Sequence, residues 1–269
     1  MLTDCTGCIR TGTIGLMSTV SGVSSVLLQG ITWQQYVNLR DLEENNHVRM
    51  TYDRGDLELM LPSRLPYVVL EGVTWRQYVE LRDNPQNDHV RMTFDQGGLE
   101  LMSPTRLHER VRILIAKCID VWVEERRIPI QSCGSTTFRR EDLERGIEPD
   151  NCYYIQHESA VRERDEIDLS IDPPPDLAIE VDLSCSSFSR MPTYAGLGIP
   201  EVWRWQKEKL QLYRLDASQR YVEASASIAL QGFPIEQLVD MVKRRSSADE
   251  TTLLREFRAA CRQIAGGRE

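Results

Sequence analysis

Apolar side chains recur at three- and four-residue intervals between positions 107 and 125, and this spacing predicts one long amphipathic helix. Two arginines at 126 and 127 and then Pro129 follow, so we expect the helix to end there. The positions that form its apolar face are Val111, Leu114, Ile115, Cys118, Ile119 and Trp122.

Beyond this helix the apolar runs are short and are bounded by turn residues, which is typical of strands. The predicted extended segments lie at 130–138, after position 150, at 177–182, at 201–205 and, as a hairpin partner, at 209–215. A helical segment is predicted at 186–198, and two amphipathic helices are predicted within 234–265. This order predicts an α/β (α+β) fold, in which helices flank a mixed β-sheet.

A tandem repeat occupies the N-terminal third of the chain. Residues 26–65 and 68–107 align without a gap at an offset of 42, with 26 of 40 positions identical. Each copy is predicted to form a short helix, capped by Thr32 or Thr74, and then a hairpin. Two copies are too few for a solenoid. The extra copy is therefore an additional packed unit, a swapped or dimer-forming arm, or a poorly docked duplicate.

Composition and charge narrow the class of protein. The 269 residues are 41% hydrophobic and 27% charged, which is ordinary for a soluble globular protein, and no apolar run is long enough to span a membrane. The N-terminus lacks the basic and apolar stretches of a secretory signal, so we expect a cytoplasmic protein. The net charge of -9 argues against a nonspecific nucleic-acid coat.

The cysteines predict reduced thiols, because their number is odd (seven) and they are scattered along the chain. Cys5 and Cys8 have the spacing of a zinc or redox pair. No second such pair and no nearby histidine accompanies them, so a loose N-terminal tail is the alternative interpretation. His47 and His89 occupy the same place in the two repeat copies, and we interpret them as structural residues.

The candidate chemistry lies at two acidic sites 30 residues apart. Glu180 stands inside the apolar run 177–181, where an uncompensated carboxylate costs several kcal/mol. Asp176 lies on the same face of this predicted strand, and a neighbouring strand that begins at Asp150 could bring a third carboxylate close. A cation is the simplest compensation, and carboxylate oxygens favour Mg²⁺ or Mn²⁺ over zinc.

Four motifs together carry a resemblance to a known family. They are Leu-Glu-Leu-Met-Ser-Pro-x-x-x-His-Glu at 99–109, Glu-Pro-Asp at 148–150, Pro-Asp-Leu-Ala-Ile-Glu-Val at 175–181, and Tyr-Ala-x-x-Gly-Ile-Pro-Glu-Val-Trp at 194–203. In this order they resemble the Uma2 family of restriction endonuclease-like proteins, within the PD-(D/E)XK nuclease superfamily, over roughly residues 68–230. The resemblance implies a restriction-endonuclease-like core, a divalent metal, hydrolysis of phosphodiester bonds with DNA as the substrate, and often homodimers.

The resemblance also implies roles for individual residues. Asp150 and Glu180 take the positions of the two metal-binding carboxylates. The expected lysine, two residues after Glu180, is replaced by Asp182, and the position that a migrated lysine occupies in many relatives holds Arg190. Arginine stays protonated, so Arg190 could stabilise charge on a phosphate but could not act as a general base. Two alternatives follow, namely a catalytically inactive nuclease-fold protein that serves in binding or assembly, and another metal-dependent hydrolase.

Three further acidic residues are secondary candidates. Glu109 resembles a catalytic glutamate of the first helix, although an acid at a helix N-terminus is also favoured by the helix dipole. Asp176 is a candidate additional metal ligand, with a turn residue at the start of the strand as the alternative. Asp182 shares the face of Glu180.

With the resemblance included, the chain divides into four parts. These are a disordered tail at 1–25, the extra repeat copy at 26–67, a restriction-endonuclease-like domain at 68–232 that includes the second copy at 68–107, and a helical tail at 233–269.

Overall fold

The computed structural model describes residues 24–61, 67–183 and 189–266. Cys5 and Cys8, and nearly all of the predicted tail at 1–25, lie outside these ranges. The helices are α1 (Trp33–Arg40), α2 (Trp75–Arg82), α3 (Arg106–Arg126), α4 (Glu158–Val161), α5 (Met191–Gly196), α6 (Ile235–Lys243) and α7 (Glu250–Gly266). The strands are β1 (Ser24–Leu28), β2 (Arg49–Asp53), β3 (Asp56–Leu61), β4 (Tyr67–Leu70), β5 (Arg91–Asp95), β6 (Gly98–Met102), β7 (Gln131–Ser132), β8 (Phe138–Arg140), β9 (Arg145–Ile147), β10 (Asn151–Tyr154), β11 (Leu177–Asp182), β12 (Glu201–Gln206), β13 (Lys209–Leu215) and β14 (Tyr221–Ala224).

Helix α3 has the apolar face that the sequence predicted. Its N-terminus is capped by Thr105, whose hydroxyl accepts a hydrogen bond from the His108 amide at 3.2 Å, and it ends at Arg127, which has a positive φ of 53°. The buried side of α3 packs with α6 and α7 over one face of a sheet. The two C-terminal helices therefore cover the core.

The central sheet has six strands in the order β14-β13-β12-β11-β10-β7. Strands β11 and β12 run parallel, and the connection between them contains α5. Along β11 the alternate residues Leu177, Ile179 and Val181 face the helices, whereas Ala178 faces a second apolar cluster on the opposite side. A mixed sheet with helices packed on it confirms the predicted α/β architecture.

A second, antiparallel sheet has the order β4-β6-β5-β9-β8. It joins the second repeat copy, which supplies β4, β5 and β6, to strands β8 and β9 of the core. The pairing of β5 with β9 places Gly146 against Tyr78, where a Cβ atom would lie 2.2 Å from the Tyr78 hydroxyl oxygen. A glycine is therefore required at this close approach.

The first repeat copy forms a third sheet, in the order β1-β3-β2. The two copies share one apolar cluster and exchange reciprocal hydrogen bonds: the Glu71 amide donates to Asn45 Oδ1 at 2.9 Å, and the Gln29 amide donates to Asn87 Oδ1 at 2.8 Å. These are equivalent pairs, because Gln29 and Glu71, like Asn45 and Asn87, are 42 residues apart. Such contacts favour the additional packed unit over a poorly docked duplicate.

Several local predictions can be compared with the structure. The predicted capping residues Thr32 and Thr74 each form a capping box with the glutamine three residues later. The prediction of a continuous extended segment at 130–138 was wrong, since only β7 and the first residue of β8 are strand. The hairpin of β8 and β9 escaped prediction, because three-residue strands are too short to show an alternating pattern. No helix within the described ranges is long and apolar enough to cross a membrane.

The repeat allows a matched test of how much the pairing with β9 stabilises the second copy. Met92 on β5 is fully buried, whereas Met50, the identical residue at the equivalent place on β2, is partly exposed. We expect Met92→Ala to lower the free energy of unfolding by about 2–5 kcal/mol. Met50→Ala should cost less than half of that, as measured by urea denaturation. Equal losses of unfolding free energy in the two variants would show that the outer edges of β2 and β5 are equally covered.

Candidate active site

The register of two strands brings the acidic sites together. Strand β10 pairs antiparallel with β11, so that Asn151 lies opposite Ile179, and the Asp150 amide donates to the Ile179 carbonyl at 3.1 Å. The next position in this register places Asp150 across from Glu180. Both side chains are buried, with residue exposures of 0% and 6%.

Asp150 is held as a carboxylate by donors around it. Its Oδ2 accepts hydrogen bonds from the Val181 amide at 2.7 Å and from His108 Nε2 at 3.0 Å. Burial raises the pKa of Asp150, but the hydrogen bond and charge of His108, the charge of Arg190 and the Val181 amide outweigh burial and lower this pKa. The other oxygen, Oδ1, is buried without a hydrogen-bond partner among the described residues. An acceptor therefore remains available on Asp150.

Glu180 is bound by one cationic and one neutral donor. Its Oε2 accepts from Arg190 Nη1 at 2.6 Å, and its Oε1 accepts from the Tyr194 hydroxyl. Burial raises the pKa of Glu180 to about 7; the charge of Arg190 opposes this rise, and the charge of Asp150 adds to it. Glu180 thus changes its protonation state near neutral pH.

Glu100 is a site residue that the sequence analysis missed. It lies on β6 with 1% exposure, and its Oε1 accepts from Arg190 Nε at 2.8 Å and from Arg190 Nη2 at 2.5 Å. Arg190 therefore bridges buried carboxylates from two different sheets. A signal was present, because Glu100 interrupts an apolar run at 99–102 just as Glu180 does at 177–181.

His108 and Glu109 extend the site at the first turn of α3. His108 is buried, and its Nδ1 lies 3.4 Å from Glu109 Oε1. Burial lowers the pKa of His108, but its hydrogen bond to Asp150 and the charges of Asp150, Glu109 and Glu180 outweigh burial and raise it. Glu109 also accepts from Arg112 at 2.8 Å and 2.9 Å. It therefore lies beside His108, which in turn contacts Asp150.

Asp176 and Asp182 have other partners along β11. The Asp176 carboxylate accepts from the Ile155 amide at 2.6 Å, from the His157 amide at 3.0 Å and from His157 Nδ1 at 2.6 Å. These bonds favour a structural role at the start of the strand, and its metal role stays a prediction. Asp182 accepts from Arg204 at 2.5 Å and from Gln206 at 2.7 Å.

A cavity of about 200 Å³ lies beside Glu180. Acidic and basic side chains both reach it: Arg190 and Arg204 line the cavity together with the carboxylates to which they are ion-paired. Within the described residues, no three His, Cys, Asp or Glu side chains form a cluster that could hold a metal ion alone. The residues that line the cavity are Tyr67, Glu100, Met102, Glu180, Val181, Asp182, Ser189, Arg190, Met191 and Arg204.

Comparison with protein families agrees with the resemblance. The family model described as "Uma2: Putative restriction endonuclease" matches residues 75–242. Among solved structures, a similar one is a putative nuclease belonging to DUF820 from Anabaena variabilis, at 15% identity and a TM-score of 0.43, covering 68% of this chain and 99% of that one. No curated protein matches the chain.

The raised pKa of Glu180 predicts a specific pH dependence of stability. In the unfolded chain this carboxyl has a pKa near 4.5, and in the folded protein about 7. The folded state binds its proton more tightly, so the stabilisation is complete below pH 4.5 and is lost as the pH rises through 7. We expect the wild type to lose about 3 kcal/mol over this window relative to Glu180→Gln, without divalent ions.

Urea unfolding of both proteins at several pH values between 4 and 8 measures this difference. Parallel curves would mean that Arg190 keeps Glu180 ionised throughout.

Proposed function

The chain belongs to the Uma2 family, and from this premise we propose that it is a divalent-metal-dependent endonuclease that hydrolyses phosphodiester bonds in DNA. The observation that supports this proposal most directly is the buried pair Asp150 and Glu180, with an arginine beside it and a cavity at its side. A buried carboxylate pair is costly unless cations or hydrogen-bond donors compensate it, and perturbed carboxylates of this kind cluster at functional sites.

Asp150 and Glu180, with the Val181 carbonyl, would hold Mg²⁺ or Mn²⁺. The unpartnered Oδ1 of Asp150 fits this assignment, because it is a buried acceptor that lacks a donor among the described residues. Two carboxylates are a suitable protein contribution for Mg²⁺, which usually keeps several waters and binds substrate phosphate. When bound, such an ion lowers the pKa of a water and neutralises charge on the scissile phosphate.

The chain's own residues would then divide the remaining work. Arg190 lines the cavity and stays protonated, so it offers a fixed positive charge to a phosphate group but cannot remove a proton from water. The hydrogen bond from His108 to Oδ2 orients the Asp150 carboxylate and directs Oδ1 away from that contact. Tyr194 orients Glu180 in the same way.

A second candidate function is a catalytically inactive nuclease-fold protein that serves in binding or assembly. The observation that favours it is that Arg190 is already engaged, since its Nε, Nη1 and Nη2 each donate to Glu100 or Glu180. This ion-pair network compensates the buried carboxylates by itself. Metal binding and catalysis therefore need separate tests.

The first test is cleavage of supercoiled plasmid in the presence of Mn²⁺ or Mg²⁺. We expect the wild type to nick the plasmid, and we expect Asp150→Ala and Glu180→Ala to lose at least a hundredfold in rate, because each removes a proposed metal ligand. Glu58→Ala is the control for loss of a glutamate outside the site. Glu58 is the partly exposed residue of the first copy that corresponds to Glu100 in the second. Absence of cleavage by the wild type would favour the inactive alternative.

The second test separates the metal site from the basic residue. We expect Arg190→Lys to keep more cleavage than Arg190→Met, because lysine retains the positive charge although it cannot reproduce the forked contacts to Glu100 and Glu180, and Arg190→Met to lose at least tenfold. Binding of Mn²⁺, followed by electron paramagnetic resonance, should persist in Arg190→Lys and be lost in Asp150→Ala. If Asp150→Ala binds Mn²⁺ as tightly as the wild type, the carboxylate pair is not the metal site.

A further inference from the structure

The first repeat copy has a sheet edge that the second copy covers. Strand β5 pairs with β6 on one side and with β9 on the other, whereas β2 pairs with β3 and with no other strand of the described ranges. Asp53 and Asp56 flank a two-residue turn, so the peptide groups of Asp53 bond to β3. Because the peptide groups of successive residues alternate between the two sides of a strand, the peptide groups of Met50 and Tyr52 point away from β3, toward the outer edge of the sheet.

The second copy shows what this edge does when it is occupied. Phe94, the equivalent of Tyr52, lies opposite Gly146 of β9, and the amide of Met92, the equivalent of Met50, donates to Glu148 at 2.8 Å. Asp95 accepts from Arg145 of β9 at 2.9 Å. In the second copy this edge therefore pairs with a neighbouring strand, and its aspartate forms an ion pair with an arginine of that strand.

Exposed aromatic side chains accompany the open edge. Trp33 is 62% exposed, and the stacked rings of Tyr36 and Tyr52, with centroids 5.1 Å apart, are both partly exposed. The equivalent stack of Tyr78 and Phe94 is buried. An open edge beside exposed aromatic rings is an association surface in soluble proteins.

The sequence of β2, Arg-Met-Thr-Tyr-Asp, is complementary to itself when two strands run antiparallel. With Thr51 opposite Thr51 of a second copy, Arg49 of each strand faces Asp53 of the other. Both residues are exposed, and the ion pair that Asp53 forms within the described residues, with the exposed Arg54, is long at 3.8 Å. Met50 and Tyr52 then face each other, with their outward peptide groups in register for four hydrogen bonds.

We propose that β2 of two copies of this chain pair antiparallel about a two-fold axis at Thr51, which joins their three-stranded sheets into one six-stranded sheet. The occupant is a second copy because this edge supplies both charges that the pairing needs, as β9 supplies the arginine for Asp95. An isologous contact of this kind closes as a dimer, because it uses the β2 edge of both copies.

Charge exchange across the axis tests the proposal on the full-length protein. Sedimentation or light scattering of the wild type should give twice the chain mass of 31.0 kDa. Arg49→Asp and Asp53→Arg should each weaken the dimer about tenfold or more, since each places like charges opposite one another. A mixture of the two variants should form a heterodimer, and the double variant should restore the homodimer. Glu43→Arg, an equal charge change at an exposed residue outside β2, should have no effect.

Cross-linking tests the position of the axis. A non-hydrogen-bonded antiparallel pair has Cα atoms about 4.5 Å apart, within reach of a disulfide. Thr51→Cys should therefore form an oxidised dimer above the background of the native cysteines, whereas Arg49→Cys, two residues off the axis, should not. A monomeric wild type, or a dimer that ignores the charge variants, would overturn the proposal. So would cross-linking at position 49 without cross-linking at position 51.

Discussion

The ion pairs of Arg190 are the interaction on which the site depends. Glu100, Asp150 and Glu180 are all nearly inaccessible to solvent, and three uncompensated carboxylates at such depth would not be tolerated. Arg190 binds two of them, at 2.5 Å and 2.6 Å, while His108 binds the third at 3.0 Å. The charge of Arg190 and the hydrogen bond from His108 thus permit a buried acidic centre.

The architecture explains how these donors reach the carboxylates. A parallel pair of strands requires a crossover, and the crossover from β11 to β12 contains α5, which Arg190 precedes. Glu100 comes from β6, which belongs to the other sheet and to the second repeat copy. That copy is therefore part of the candidate active site. Its pairing with β9 through Gly146 fixes β6 relative to the core.

The two repeat copies show how neighbours change the meaning of a sequence. Both contain Leu-Glu-Leu-Met with its glutamate at the same place, and both form a capped helix followed by a hairpin. Glu100 is buried against Arg190, whereas Glu58 is partly exposed. Likewise, Met92 is buried on β5, whose outer side pairs with β9, whereas Met50 is partly exposed on the edge strand β2. The difference arises from the surrounding chain, since the local sequences are nearly the same.

The sequence by itself determined the local elements with strong periodicity: helix α3, the two C-terminal helices, the β12–β13 hairpin and both repeat units. It also led to Asp150, Glu180 and Arg190 as candidate site residues, because a carboxylate inside an apolar run signals compensation and because the motifs match a family. Only the tertiary structure decided that Glu100 and His108 join them and that Asp176 bonds to the loop at 155–157 instead. The physical reason is that periodicity reports which face a residue occupies on its own element. The partner of a buried charge is set by strand register and by the packing of distant segments, which no local pattern encodes.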